Sequence, residues 1–211
     1  MHGLNQVVHF DAPVERTPFS WVRGTNRYLP EDIALQWCRP VAPTFHARNS
    51  ARGRRYRFLV LESPVRPAIE AQACGWVFRP LDGEAMRTAA GHLIGEHDFS
   101  SFRAAECQAK TPVKTLRAIG ISFRGASMAG YWRFDFDASA FLHHMVRNIV
   151  GCLIAVGSGR QPHDWLAEVL RARDRDAAAP TFPASGLYFV GPYYDPAHAI
   201  PEHTPAMDWL P

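Results

Sequence analysis

Residues 139–159 have the sequence Ser-Ala-Phe-Leu-His-His-Met-Val-Arg-Asn-Ile-Val-Gly-Cys-Leu-Ile-Ala-Val-Gly-Ser-Gly, the clearest helical pattern in the chain. Apolar side chains recur there at three- and four-residue steps, namely Leu142, Met145, Val146, Ile149, Val150, Leu153 and Ile154. This period is typical of a helix that packs one face against a core. We therefore predict a helix that begins near Ser139 and is closed by Gly157 and Gly159.

The segments around this helix alternate in the two-residue period of β-strands. The apolar faces consist of Tyr56, Phe58 and Val60 in one strand and of Trp132, Phe134 and Phe136 in another. The predicted strands cover residues 6–10, 55–62, 113–124, 128–137 and 186–190, with a turn over residues 125–127. Two more helices are predicted, one between Asp82 as its cap and Gly95, the other after Pro162. Strands in hairpins with interspersed helices favour an α+β fold with an antiparallel sheet packed against helices.

The composition is an ordinary globular mixture. Of the 211 residues, 47% are hydrophobic and 20% charged, which allows a real core and excludes a disordered chain. No apolar run approaches the roughly 20 residues of a membrane span, and Met1 does not open a secretory signal. The cysteines are too far apart for a disulfide scaffold or a zinc knuckle. We expect a cytoplasmic protein with free thiols and no membrane partner.

Positive charge is concentrated in one short stretch. Ten residues without an acidic side chain contain Arg48, Arg52, Arg54, Arg55 and Arg57. Such a cluster favours a phosphate-bearing partner such as a nucleic acid. A solvated strand edge rich in arginine explains the same composition equally well.

Arg147 is the most informative single residue, because it lies inside an otherwise apolar helix. Helical spacing predicts that His143 and Arg147 share one face. The guanidinium there either reaches water or is held by a carboxylate, since an unpaired buried charge costs roughly several kcal/mol. An ion pair that merely ties the helix to a sheet is the simpler alternative. The adjacent His143 and His144 lack the spacing of metal ligands, so no metal is predicted.

Two other segments carry side chains suited to chemistry. Tyr56 is an aromatic ring amid arginines and could stack on an unpaired base, although core tyrosines occur on alternating strands in the same way. His97 precedes Ser100 and Ser101 in one loop, which suggests a hydrolase, but neighbours in a loop rarely reach triad geometry. No phosphate-binding or dinucleotide-binding glycine motif is present, and no cofactor is predicted.

Five runs, which together span nearly the whole chain, carry a family resemblance: residues 6–10, 45–57, 95–103, 140–151 and 179–188. In sequence and order they resemble the TruA-type family of tRNA pseudouridine synthases, most specifically from Phe141 to Gly151. The resemblance implies the pseudouridine synthase fold, with two ferredoxin-like or RRM-like halves, the first of them incomplete here.

The resemblance also implies a reaction and a partner. The family isomerises uridines at positions 38 to 40 of the tRNA anticodon stem-loop without cofactor or metal, usually as a homodimer. An aspartate attacks the nucleoside, the base–ribose N-glycosidic bond breaks, the uracil turns, and a carbon–carbon bond to the ribose forms. By position, Tyr56 matches the tyrosine that stacks on the uracil, and Arg147 the arginine that pairs with the aspartate. The RNA contacts implied are Arg48, Arg54, Arg55 and Arg103.

One departure from the family bears on activity. The family's aspartate lies in a Gly-Arg-Thr-Asp-Ala-Gly loop just before the strand that resembles residues 6–10, and these 211 residues contain no such loop. Met1 stands where valine is usual in the family. Two hypotheses explain this: an internal valine codon was taken as the start codon, or the gene is shortened. We expect this chain to lack the nucleophile and to be inactive alone. A non-catalytic tRNA-binding remnant is the alternative.

Three regions are expected on this basis. Residues 1–44 would be the poorly ordered remainder of a truncated first α/β domain. Residues 45–195 would form a second, self-sufficient α+β domain with an RNA-binding face. Residues 196–211 would be a loosely ordered tail, with the proline-rich character beginning at Pro192.

Overall fold

The computed structural model describes residues 1–126 and 129–201. The strands within these ranges are β1 His2–Gly3, β2 Gly53–Glu62, β3 Gly75–Val77, β4 Gly95–Asp98, β5 Val113–Ala126, β6 Ala129–Ala138 and β7 Leu187–Tyr193. The α-helices are α1 Pro18–Asn26, α2 Gly83–Gly91, α3 Met145–Gly157 and α4 Trp165–Ala172. The turn predicted over residues 125–127 extends beyond the described ranges.

The strands form one mostly antiparallel sheet in the order β1-β7-β2-β6-β5-β4. β2 pairs antiparallel with β6 along one edge and with β7 along the other. β3 runs parallel to the last three residues of β2, on the edge that β7 leaves free. β5 and β6 are antiparallel neighbours, and β4 closes that side of the sheet. The predicted α+β fold with an antiparallel sheet is confirmed.

The main core lies where α2, α3 and α4 pack against the sheet. Phe58 and Phe134 are fully buried in β2 and β6, and Met145, Ile149 and Leu153 are fully buried in α3. The apolar faces predicted from strand alternation are therefore confirmed. A smaller cluster on the opposite face of β2 consists of Leu59, Leu61, Cys74 and Tyr188.

The helix predicted from Ser139 begins later, at Met145. His144 precedes it in a left-handed conformation, with φ of 60°, which no α-helix can continue through. His143 therefore lies outside the helix, and the prediction that it shares a helical face with Arg147 is wrong. Gly157 ends the helix as predicted.

Two shorter predictions also need correction. Residues 6–10 are not a strand; the N-terminal strand is His2–Gly3, which pairs parallel with Tyr188 and Phe189 of β7. Pro192 does not begin a loose tail, because it lies within β7 and pairs with Arg54 of β2. Proline is tolerated there because the strand is irregular at this point, with a register shift between Arg55 and Tyr56. Residues 202–211 of the predicted tail lie outside the described ranges.

The first 44 residues contribute no buried side chain; Phe45 is the first buried residue of the chain. Apolar side chains that are at least half exposed occur there at Val8, Phe10, Phe19, Tyr28 and Ile33. Among the helices of the described residues, none is long and apolar enough to cross a membrane.

Candidate active site and tRNA interface

Arg147 lies in the first turn of α3, where the helix dipole is positive. Its Nε donates a hydrogen bond to the Phe182 carbonyl over 2.7 Å, which fixes the direction of the guanidinium. Partial burial lowers the pKa of Arg147 from its ordinary value, although an arginine stays charged. No carboxylate oxygen of residues 1–126 or 129–201 lies within 4.0 Å of this guanidinium. The site thus presents a half-buried, oriented cation that no described acid neutralises.

A buried polar network holds the segment that receives Arg147. Asn148 is fully buried, donates to the Phe102 carbonyl over 2.8 Å, and accepts from the Thr181 hydroxyl over 2.7 Å. Arg175 donates to the Thr181 hydroxyl over 3.0 Å. Because a buried amide must have its hydrogen bonds satisfied, this network fixes the position of Thr181 beside α3. Phe182, the next residue, is thereby held where its carbonyl meets Arg147.

Gly151 allows the same segment to approach α3 closely. A Cβ atom at residue 151 would lie 2.6 Å from the Pro180 carbonyl oxygen, closer than any stable contact. Only glycine fits between the helix and this backbone. The glycine that closes the most specific run of the sequence therefore has a packing reason.

Tyr56 stands between two other aromatic rings. Its ring centroid is 5.0 Å from that of Phe141 and 5.0 Å from that of Phe189. Burial raises the pKa of Tyr56, with the charge of Arg54 acting in the opposite sense, so the phenol is neutral near pH 7. The ring is half-buried rather than enclosed in the core. Both interpretations of Tyr56, a core tyrosine and a stacking platform, agree with part of this geometry.

The residues between β6 and α3 connect Tyr56 with Arg147. Phe141 packs edge-on against Tyr56. Three residues later, His144 caps the start of α3, and Arg147 follows three residues after His144. Burial lowers the pKa of His144, and the charges of His143 and Arg147 lower it further, so its imidazole is neutral. The sequence analysis considered His144 only as a metal ligand and rejected it because of its spacing. The sequence did not single out Phe141 and Phe189, which flank Tyr56, because only the pairing of β2 with β7 and the path of the loop before α3 bring these rings together.

The basic cluster acquires acidic partners that the local sequence did not reveal. Arg57 Nε lies 2.7 Å from Asp135, and Arg55 Nε lies 3.7 Å from Asp137, both across the β2–β6 pairing. Arg52 forms an ion pair with Asp195. Cross-strand pairs of opposite charge are a normal stabilising feature of sheets. Part of this cluster therefore matches the alternative of an arginine-rich strand surface.

Two residues that the sequence did not single out, Arg117 and Tyr193, join this surface. Arg55 and Arg117 lie over the Tyr193 ring, at 4.9 and 5.6 Å from its centroid. Asp137 accepts hydrogen bonds from Arg117 at 3.1 Å and from the Tyr193 hydroxyl at 2.9 Å. Stacking on the ring holds both arginines in fixed directions, and Asp137 neutralises part of their charge, because it pairs with each of them.

The remaining predicted RNA contacts have different surroundings. Arg54 donates to the carbonyl groups of Ser139, over 3.1 Å, and of Arg48, over 2.8 Å. Arg48 is exposed and makes no ion pair with residues in the described ranges. Arg103 donates to the Cys107 carbonyl over 2.6 Å and so braces its own loop. Arg48 is thus the most available of the three cations, whereas Arg54 and Arg103 also order backbone.

The hydrolase alternative fails on geometry. His97 Nε2 contacts the Ile94 carbonyl at 3.0 Å rather than a serine. Ser100 donates to Asp98 over 2.6 Å, and Ser101 is buried and donates to the Val169 carbonyl over 2.6 Å. Each hydroxyl is committed to another acceptor, so no nucleophile–base pair forms here.

Comparison with known proteins identifies the family. The sequence profile described as tRNA pseudouridine synthase matches residues 89–195, a range that includes Arg103 and Arg147. The whole chain is 70% identical to the tRNA pseudouridine synthase A of Methylibium petroleiphilum and covers 80% of that protein. It is 64% identical to that of Polaromonas naphthalenivorans, covering 80%, and 63% identical to that of Paracidovorax citrulli, covering 81%. The chain belongs to the tRNA pseudouridine synthase family, whose enzymes are isomerases.

Proposed function

We propose that this chain binds the anticodon stem-loop of a tRNA and holds a uridine between Tyr56 and a carboxylate paired with Arg147. The observation that carries the proposal is the Arg147 guanidinium, oriented by the Phe182 carbonyl and without an acidic partner among the described residues. A half-buried cation of this kind is most stable opposite an anion. The catalytic aspartate of the family is an anion of the required kind.

Each side chain then has a defined part in the isomerisation. Arg147 keeps the attacking carboxylate ionised, because an adjacent positive charge lowers a carboxyl pKa. Tyr56 offers its half-buried ring to the uracil, which must turn after the glycosidic bond breaks and before its carbon bonds to the ribose. Stacking suits this step, because it holds a base in a plane without fixing its rotation. No electrons are gained or lost in this rearrangement.

The nucleophile itself is the part that these 211 residues do not supply. They contain no match to the family's Gly-Arg-Thr-Asp-Ala-Gly loop, and no aspartate of the described residues lies within 4.0 Å of Arg147. We therefore expect negligible turnover by the 211-residue chain alone. Tritium release from tRNA labelled in its uracil rings measures this, and turnover at the rate of a full-length relative would overturn the expectation.

A chimera tests whether this chain carries the rest of the site. We would join to Met1 of this chain the part of the Methylibium petroleiphilum protein that the match leaves uncovered, where the family resemblance implies the aspartate loop. The chimera should release tritium, and its Asp→Asn variant in that loop should not. An inactive chimera that still folds and binds tRNA would favour the alternative, a non-catalytic tRNA-binding protein.

The proposed RNA surface combines Arg48, Arg54, Arg55 and Arg103 with the Arg117–Tyr193 stack. Phosphate contacts release counterions, so the tRNA affinity should fall steeply as salt rises. The Arg48→Ala variant should reduce the slope of log Kd against log salt by roughly 0.7–0.9. Arg87→Ala on α2 is the control. This arginine lies away from the cluster and forms an ion pair with Glu84 over 2.9 Å. Unchanged binding in Arg48→Ala would remove this residue from the interface.

We also propose, from the family resemblance, that the protein works in the cytoplasm and as a homodimer. Sedimentation equilibrium distinguishes a homodimer from a monomer by mass. A mass equal to one chain at micromolar concentration would contradict the dimer.

A further inference from the structure

A cluster of potential metal ligands lies away from the proposed active site, where the end of α2 meets the start of α4. His92 is the C-terminal cap of α2, and Asp164 immediately precedes α4. One donor atom from each of His92, His163 and Asp164 lies within 4.8 Å of the others. His92 Nε2 is 3.3 Å and His163 Nδ1 is 3.0 Å from the same oxygen, Asp164 Oδ1.

His92 supplies an independent sign that a ligand is expected here. Its Nε2 atom is buried and has no hydrogen-bond partner among the described residues. The 3.3 Å approach to Asp164 is close enough for an ion pair but is not aligned as a hydrogen bond. A buried polar atom left unsatisfied is costly, and native proteins rarely retain one without a reason. A metal ion bound to Nε2 would satisfy it.

Asp164 is also not used as its position would predict. It occupies the cap position of α4, yet its side chain caps no backbone N–H of that helix. Aspartate at a helix start normally accepts such a bond, as Asp82 does at the start of α2. The Asp164 carboxylate is turned instead toward the two imidazoles.

We infer that His92, His163 and Asp164 form a site for a divalent transition metal ion of the zinc class. Two imidazole nitrogens and one carboxylate oxygen are a donor set that suits zinc, whereas calcium and magnesium prefer oxygen ligands alone. Three protein ligands leave a fourth tetrahedral position for water. The side chains of His163 and Asp164 are 49% and 70% exposed, so they can separate to admit the ion.

The site would stabilise the packing of two helices rather than take part in the isomerisation. His92 follows α2 directly, and the neighbouring Leu93 is fully buried, as is Leu166 in α4. An ion held by both segments binds only the folded arrangement, so it raises the stability of the fold by mass action. The sequence predicted no metal, because ligands at residue 92 and at residues 163–164 form no recognised motif.

The alternative at these residues is an ion pair between protonated histidine and Asp164 without any metal. The two differ in what they bind, so direct titration separates them. Protein stripped with a chelator is titrated with zinc by calorimetry, and with Co²⁺ by visible absorption, whose intensity reports tetrahedral coordination. We expect one ion per chain and a higher Tm in the presence of zinc.

The variants His92→Ala and His163→Ala should each weaken zinc binding by at least roughly tenfold. Loss of a residue that only hydrogen-bonds to a metal ligand already costs this much, and loss of a ligand should cost no less. His143→Gln is the control, because His143 is an exposed histidine beside His144 and outside this cluster, so its loss should leave the affinity for zinc unchanged. If His92→Ala does not fold, the exposed His163→Ala and Asp164→Asn still decide the question. Absence of zinc binding, or binding that only His143→Gln weakens, would overturn the inference.

Discussion

Arg147 combines three properties at one residue: a charge, partial burial and a fixed direction. The Phe182 carbonyl holds Nε, and the rest of the guanidinium is left for a partner. This geometry differs from that of Arg57, whose Nε is already paired with Asp135 at 2.7 Å. Of the two arginines, Arg147 is therefore the one suited to an incoming carboxylate.

The first prediction concerns Arg147 in the active chimera. Arg147→Ala should lower kcat/KM by about 100- to 1000-fold, the usual cost of removing one charge-stabilising donor, and should leave tRNA affinity nearly unchanged. Arg147→Lys should recover only part of the activity, because lysine keeps the charge but loses the planar fork. Single-turnover kinetics and filter binding measure the two quantities. Equal loss of binding and turnover would instead make Arg147 an RNA contact.

The second prediction distinguishes the two interpretations of Tyr56. Tyr56→Leu keeps an apolar side chain against Phe141 and Phe189 but removes the ring, and should weaken binding of an unpaired uridine site by about 1–3 kcal/mol. Tyr56→Phe keeps the ring, and its free energy of RNA binding should lie within a few tenths of a kcal/mol of that of the unsubstituted protein. The reason is that the Tyr56 hydroxyl forms no hydrogen bond with a described residue. Fluorescence anisotropy with a labelled anticodon stem-loop measures both. A core tyrosine would show a stability loss in Tyr56→Leu without a loss of RNA affinity in the folded protein.

At the scale of elements, α3 and the segment of residues 179–182 act as one unit. The helix supplies Arg147 and Asn148, the segment supplies Thr181 and the Phe182 carbonyl, and Gly151 lets the two approach. A change that separates them should affect stability and the orientation of Arg147 together.

The third prediction tests this contact. Gly151→Ala should destabilise the fold by about 1–3 kcal/mol, because its Cβ would collide with the Pro180 carbonyl and the helix cannot yield without repacking. Gly91→Ala at the end of α2 is the matched control: nothing lies within 4 Å of its Cβ, and it should be neutral or stabilise by about 0.5–1 kcal/mol. Urea denaturation gives both values. Equal effects of the two substitutions would mean that the close approach does not matter.

At the scale of the whole molecule, burial is divided unevenly along the chain. Every buried side chain of the described ranges lies at or after Phe45. The N-terminal part touches the sheet through β1, where His2 stacks on Tyr188 with ring centroids 4.7 Å apart. We propose on this basis that residues 45–195 form the folding unit.

The fourth prediction follows from this division. Removal of residues 1–44 should leave a protein that unfolds cooperatively and has lost only about 1 kcal/mol of its free energy of unfolding. In a chain of this size, that loss lowers the Tm by about 2–4 °C. Removal of residues 1–58 is the control and should abolish cooperative unfolding, because it deletes the fully buried Phe58 from the central strand. Differential scanning calorimetry measures both. Loss of cooperativity in the shorter deletion would show that the N-terminal residues belong to the folding unit.

Part of the geometry of the candidate site could be anticipated only by resemblance. The family's motif pointed to Arg147 and Tyr56 together, whereas spacing alone left each with an ordinary structural alternative. The left-handed His144, which delays the start of the predicted helix to Met145, has no signal in the apolar pattern, because Leu142 stays buried in the turn before α3.

The sequence by itself determined which faces of the central elements are buried. The alternation in β2 and β6 and the three- and four-residue steps in α3 are local periodicities, and each one states directly which side chains share a face. The tertiary structure decided which groups from distant positions meet. The Phe182 carbonyl accepts a hydrogen bond from Arg147. Asp135 and Asp137 of β6 neutralise arginines of β2, and His92 lies beside Asp164. These contacts exist only because the fold brings together residues that are far apart in the chain. Such pairings depend on sheet order and helix packing, which no local pattern records.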